Sequence, residues 1–145
     1  MKDKIKVKLD EGAKVPTRAY KTDAGLDLYS RKNKVIPARG SAIFDTGVHV
    51  ELPLNTVGLL MSKSGLNVKF GLTNEGVIDY GYRGSIVVNL YNNSTTDYTV
   101  KKGDKISQLL IVPILTPEVE IVDSSVELYG GMTERDSGGF GSTGR

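Results

Sequence analysis

Apolar and polar residues alternate along most of this chain with a period of two. Lys4-Ile5-Lys6-Val7-Lys8-Leu9 alternates cleanly and reads as a half-exposed strand. Val48, Val50 and Leu52 alternate with His49 and Glu51. Ile86, Val88 and Leu90 alternate with Val87, Asn89 and Tyr91, a pattern that predicts cover on both faces of that strand. Leu109-Leu110-Ile111-Val112 is a continuous apolar run that stops at Pro113 and predicts a buried strand. Turn-forming residues separate these runs at Ala38-Arg39-Gly40, Leu54-Asn55, Asn92 to Asp97 and Lys102-Gly103-Asp104. A helical period is sustained nowhere, although a short helix from Ser64 to Lys69 is possible. Many short strands at regular spacing predict an all-β sandwich or barrel. The core is expected to run from residue 1 to Leu128, and a Gly-rich segment, 129–145, to follow it as a flexible strap.

Length and composition narrow this picture. A chain of 145 residues suits a single domain. A net charge of +2 does not suggest nucleic acid as a partner. With no cysteine, disulfides, thiol catalysis and zinc–thiolate sites are excluded, and a reducing compartment is natural. The basic start, Met1 to Lys6, leads into no apolar run, so neither a signal peptide nor a membrane span is expected. The cytoplasm follows as the expected location, or a host's cytoplasm for a phage-encoded chain. The single histidine, His49, lies on the polar side of its strand. Ser-His-Asp and Cys-His chemistry is therefore unavailable. Carboxylates, hydroxyls, a tyrosine and basic groups remain, a set that suits hard-metal phosphate chemistry.

Residues of these types collect in clusters. Asp23-Ala24-Gly25-Leu26-Asp27-Leu28 reads as a turn, or as a site where Asp27 holds water on Mg²⁺. Ser62-Lys63-Ser64-Gly65-Leu66 combines hydroxyls, a cation and glycine into an anion site; an N-cap role explains Ser64 almost as well. Gly76-Val77-Ile78-Asp79-Tyr80-Gly81-Tyr82-Arg83-Gly84 reads as a hairpin that accounts for Gly81 and Gly84. It accounts less well for Asp79, which at a strand end beside an aromatic ring could be partly desolvated and a better base. Gly103-Asp104 is a turn, and Gln108 interrupts an apolar strand, so its amide needs a partner or a ligand.

The C-terminal run Arg135-Asp136-Ser137-Gly138-Gly139-Phe140-Gly141-Ser142-Thr143-Gly144-Arg145 offers one large apolar side chain. A disordered tail is the ordinary reading. The same composition can wrap a phosphate chain with backbone N–H groups, hydroxyls and arginines. Its match to G-x-G-x-x-G carries nothing, because no strand precedes it and no helix can follow.

In this order the clusters resemble the trimeric all-β dUTP pyrophosphatases (dUTPases). The resemblance runs from about Lys21 to Gly144 and includes each of that family's ordered motifs. It implies a jelly-roll-like β-barrel, a homotrimer whose shared active sites each draw on every chain, and a swapped C-terminal tail. It implies Mg²⁺-dependent conversion of dUTP to dUMP and pyrophosphate, which limits uracil in DNA and supplies dUMP for dTMP synthesis. Asp79 matches the family's general base and Tyr82 the ring beneath the deoxyribose that rejects a 2′-hydroxyl. The backbone from Asn74 through Gly76 and Val77 to Ile78 matches the uracil reader. Asp27 matches the outer-shell metal carboxylate. Lys63, Ser64, Gly65 and Gln108 match phosphate contacts. In the tail, Arg135 matches the γ-phosphate partner, Phe140 the ring stacked on uracil, and Gly141, Ser142 and Thr143 further phosphate contacts.

This chain departs from the family pattern in carrying Lys63 and Lys105 where arginine is usual, which removes a planar fork. The Thr73-to-Gly76 segment is one residue shorter than in some members, which puts a side-chain contact from Asn74 in question. Rival readings are a dCTP deaminase of the same fold and a non-catalytic nucleotide-binding regulatory module.

Overall fold

The computed structural model describes residues 4–144, and Arg145 at the end of the tail lies outside them. The alternating segments form antiparallel strands: β1 (Lys6–Leu9), β2 (Leu26–Tyr29), β3 (Lys34–Ile36), β4 (Ser41–Asp45), β5 (Val48–Glu51), β6 (Thr56–Met61), β7 (Leu72–Thr73), β8 (Glu75–Ile78), β9 (Val87–Asn92), β10 (Tyr98–Val100) and β11 (Lys105–Pro113). A helix, α1 (Ser64–Phe70), joins β6 to β7 and closes at Gly71, whose left-handed φ of 68° glycine adopts without strain. No helix is long and apolar enough to cross a membrane among the described residues.

Strands β2-β11-β6-β8 form one sheet, β4-β9-β7 a second, and β1-β5 and β10-β3 two pairs. The result is an all-β, jelly-roll-like arrangement with the core between the sheets. Leu28, Ile36, Val48, Ile86, Val88, Leu90, Ile106 and Leu109 are essentially sealed from solvent there. The period of two does the sorting. Ile86, Val88 and Leu90 point inward, while Val87 and Tyr91, one residue out of phase, are exposed. The expected cover on both faces of this strand is thus absent within one chain. The Leu109–Val112 run is likewise only half a core strand: Leu109 is buried, and Leu110, Ile111 and Val112 are intermediate. β11 does end at Pro113.

Two rows across the four-stranded sheet matter for the site. Leu26, Leu109 and Leu60 are register partners and face the core, and Gly76 completes their row. A Cβ on Gly76 would lie 2.9 Å from Leu60 Cδ1, so glycine is required there for packing. One residue along, Asp27, Gln108, Met61 and Glu75 form the next row and face the other way.

The chain divides into two units, Met1–Leu115 and Thr116–Arg145. The first holds the whole buried core, whose last member is Leu109. Leu115, Val119 and Ile121 are exposed, so the core stops well before Leu128. The second unit contains a 3-10 segment, Ser125–Gly130, started by a capping box between Ser124 and Glu127. Beyond it the backbone turns repeatedly: Gly138 N–H donates to the Arg135 carbonyl, Ser142 to Gly139 and Gly144 to Gly141.

Candidate active site

Asp27 is a buried carboxylate with two cationic partners. It sits mid-strand in β2, where all four residues are buried. A carboxylate there needs partners. Lys63, at the β6–α1 junction, donates to Oδ1, and Lys105, the first residue of β11, lies 3.1 Å from Oδ2. Burial pushes the Asp27 carboxyl up, but the hydrogen bonds from Lys63 and Lys105 outweigh it and hold the group below its ordinary value of 3.8. The same contact raises Lys105. In sequence the two lysines stand as separate losses of an arginine fork. The structure shows them working as a pair, each supplying one point charge to a different oxygen of the same carboxylate. Lys105, noted in the sequence only as a replaced arginine, is thereby a member of the site; its place at a strand start opposite Tyr29, two residues from Asp27, brings it there.

Gln108 lies directly across the ladder from Asp27 and donates from Nε2 to the Ser62 carbonyl at 3.0 Å. A Cβ on residue 25 would fall 2.1 Å from Gln108 Oε1, so Gly25 is the residue that lets this amide lie against the backbone. Ser62 in turn exchanges hydrogen bonds with Asn74: its Oγ accepts from the Asn74 N–H at 3.0 Å and donates to the Asn74 carbonyl at 3.2 Å. The Asn74 side chain points inward, donating to the Ile106 carbonyl and accepting from Ser107 Oγ at 2.7 Å. Asn74 is therefore a buried brace between β7, β8 and β11, with its side chain turned toward β11.

The residue capping α1 is Lys63, in extended conformation, and not Ser64. No side chain caps the helix, and the first intrahelical bond is donated by Asn67 to the Lys63 carbonyl. The amides of Ser64, Gly65 and Leu66 thus have no intrahelical acceptor. A depression lined by Met61, Ser62, Ser64, Asn67, Glu75 and Tyr91 opens next to them.

Asp79 and Tyr82 occupy the opposite end of the β6–β8 strand pair. Met61 pairs with Glu75 at one end and Gly58 with Ile78 at the other. Ser62 and Asp79, the next residues outward, are separated by roughly 17 Å of strand. Asp79 is exposed, and its carboxylate has no hydrogen-bond partner among the described residues. The desolvation expected at this strand end is not provided by its own chain. Its carbonyl accepts from the Tyr82 N–H, closing a turn that Gly81 permits with a φ of 89°. The Tyr82 hydroxyl donates to the Ser85 carbonyl at 2.9 Å. Gly84 serves this ring and not the turn, because a Cβ there would lie 2.2 Å from the Tyr82 hydroxyl oxygen. A second groove, lined by Val50, Leu52, Tyr80, Gly81, Tyr82 and Arg83, runs beside the ring.

Between the two ends runs β8, at the edge of its sheet. Gly76 and Ile78 face the core and Val77 is exposed. In the tail unit Arg135 Nε donates to the Gly138 carbonyl at 3.0 Å, and Phe140 is fully exposed. Gly141 adopts a positive φ of 79° between Phe140 and the hydroxyls of Ser142 and Thr143.

Comparison with known proteins identifies the family. The dUTPase family model matches residues 11–144. A deoxyuridine 5′-triphosphate nucleotidohydrolase of Yarrowia lipolytica is 46% identical, over 94% of this chain and 85% of the relative. One from Paramecium bursaria Chlorella virus 1 is 43% identical over 94% of each chain. Among solved structures, the Staphylococcus bacteriophage 80alpha dUTPase with dUPNHPP superposes with a TM-score of 0.90 at 34% identity, covering 99% of this chain and all of that one. A point mutant of the dUTPase from phage phi11 of S. aureus, described with a structural Mg(II) ion, gives 0.79 at 34% identity over 86% and 99% of the two chains. With its family model spanning both the core and the tail, this chain belongs to the dUTPase family.

Proposed function

We propose that the chain hydrolyses dUTP to dUMP and pyrophosphate in a site completed by other copies of itself. The observation that carries this reading is the separation of the Asp27–Lys63–Gln108 cluster from the Asp79–Tyr82 hairpin at opposite ends of one strand pair. A triphosphate held at the first end would lie beyond reach of a base at the second, which must act within hydrogen-bond distance. Two chains that bring unlike ends together solve this, and a closed homotrimer does so three times over. The exposed apolar residues Val77, Val87 and Tyr91 on the outer faces of β8 and β9 suit such an interface.

In this reading Asp79 accepts a proton from water as its oxygen bonds to the α-phosphorus, and the bond from that phosphorus to the bridging oxygen breaks to release pyrophosphate. An exposed carboxylate becomes a stronger base once a neighbouring chain and substrate desolvate it. Tyr82, braced by the Ser85 carbonyl and seated over Gly84, offers a fixed ring for the deoxyribose to rest on and leaves no room for a 2′-hydroxyl. The free edge of β8 presents peptide N–H and C=O groups, the complement of the acceptor–donor–acceptor edge of uracil. Lys63, Ser64, the Gly65 amide and Gln108 take the phosphates. Arg135 pairs with the γ-phosphate, Phe140 stacks on the base, and Gly141, Ser142 and Thr143 close over the phosphate chain.

Mg²⁺ would neutralise charge on the triphosphate. Among the described residues no cluster of metal-ligating side chains could hold the ion directly. Asp27 is ionised and has lone pairs beyond those its two lysines occupy, so it fits a role as acceptor for water on an ion that arrives with the substrate.

Purified chain incubated with Mg²⁺ and, separately, dUTP, dCTP, dTTP and UTP tests the reading. Chromatography should show dUMP and pyrophosphate from dUTP alone. Release of ammonia from dCTP, or no turnover by a folded protein, would overturn it.

A further inference from the structure

We propose that His49 is a positioning residue for the hairpin that carries Asp79 and Tyr82, acting as an imidazolium bridged between Asp10 and the Arg83 carbonyl. The inference rests on the roles given above to Asp79 and Tyr82. His49 lies on β5, opposite Lys8 of β1. Its Nδ1 is 2.7 Å from the Arg83 carbonyl oxygen, and its Nε2 is 2.9 and 3.0 Å from the two Asp10 oxygens. A carbonyl and a carboxylate can only accept. Both ring nitrogens must therefore donate, and only the imidazolium has two N–H groups. Either neutral tautomer would satisfy one contact and turn a lone pair toward an oxygen at the other.

The place of the anchor gives it a purpose. Arg83 directly follows Tyr82, and the return limb of the hairpin is fixed at three successive points. His49 holds the Arg83 carbonyl, Asp45 accepts from Ser85 Oγ, and Thr46 Oγ1 donates to the Ile86 carbonyl at 2.6 Å. The Thr46 contact is neutral and the lowered Asp45 carboxylate stays ionised above 3.8; only the His49 contact changes on the alkaline side.

The charged surroundings favour the proton on balance. Arg83's carbonyl and Asp10 raise His49 above its ordinary 6.5, while Lys8 across the ladder opposes them. Asp10 is itself held below 3.8, chiefly by His49. Asp45 lies near Asp10 but is engaged by Ser85 and by Arg31 at 3.3 Å. Lys6, Glu51 and the Arg83 side chain line the same depression, with Lys6 paired to Glu51 at 3.8 Å. A raised histidine contributes fully below 6.5, and its contribution is lost as pH rises through the folded value. The lowered Asp10 contributes above 3.8 and is lost as pH falls through its own folded value. The bridge therefore holds from 3.8 to above 6.5 and releases on the alkaline side.

Because His49 is the only histidine in the chain, its ring gives a single imidazole signal in the untagged protein. We would follow that signal by proton NMR against pH, with amide exchange across residues 80–84 and kcat/KM for dUTP under the same conditions. The expected result is a pKa above 6.5, with faster exchange at 82–84 and a fall of about threefold to tenfold in kcat/KM as the ring loses its proton. Asp10→Asn should lower the midpoints of all three together, and His49→Gln should abolish the step in exchange and rate. A pKa at or below 6.5, or an Asp10→Asn midpoint that moves by NMR while exchange and rate stay put, would overturn the proposal. The NMR and exchange readings need no substrate, so they stand apart from any failure of the hydrolytic reading.

Discussion

Asp27 and Asp79 are both carboxylates on the same sheet, and they are built in opposite ways. Asp27 is buried in mid-strand, with each oxygen matched to a lysine and a glutamine amide alongside. Asp79 stands at a strand end, exposed, with no side-chain partner among the described residues. The first is finished within its own chain; the second is fixed only in its backbone, by the turn to Tyr82. Under the proposed mechanism, the contrast teaches that a group holding charge through a reaction is satisfied in advance, whereas a group that gains a proton is left unpaired for substrate and a neighbouring chain to enclose.

The largest effect should come from the unfinished end. Asp79→Asn removes the proposed base without disturbing a side-chain hydrogen bond, so kcat should fall about 10³-fold with urea stability unchanged. Near-normal turnover would remove Asp79 from the mechanism. Next comes the tail. A chain ending at Glu134 keeps every buried core residue and should fold normally, yet lose about 10²-fold in kcat/KM for want of Arg135, Phe140 and the hydroxyls. Full activity in that truncated chain would show that the tail takes no part.

The smallest effect separates the two carboxylates by pH. Asp27, with its lowered pKa, contributes stability that is present above 3.8 and lost as pH falls through its folded value. Asp27→Asn should therefore cost about 1–2 kcal/mol at neutral pH, discounted for the partly exposed lysines. It should also flatten the loss of urea stability below pH 3.8. Asp79→Asn should leave that acid limb as it is.

Much of this architecture was legible in residue patterns. Strict alternation places Ile86, Val88 and Leu90 in the core because a strand's side chains must alternate. Cluster order was enough to place the chain in its family. What stayed hidden depends on third dimensions. An apolar residue in a strand reads the same whether its own chain or another covers it, so Val87 and Tyr91 looked buried. Gly84 looks like a turn residue until Tyr82 is seen lying over it. Ser64 looks like a helix cap, but the helix begins one residue too early for it to serve. The shorter Thr73-to-Gly76 segment put a side-chain contact from Asn74 in question, and the side chain in fact braces β11. Lys63 and Lys105 lie far apart in sequence, and their convergence on one carboxylate follows only from the β2–β11–β6 order. His49 offered no pattern beyond its singularity; its partners, Asp10 and Arg83, come from loops that alternation does not describe.

Subunit mixing tests the central claim most directly. Asp27→Asn and Asp79→Asn chains would each be assayed alone with dUTP, then unfolded together, refolded as a mixture and assayed again. A site shared between chains predicts recovered activity, because some sites then pair an intact Asp27 cluster from one chain with an intact Asp79 hairpin from another. A mixture no more active than its parents, with exchange of chains shown by mass spectrometry, would contradict the shared site.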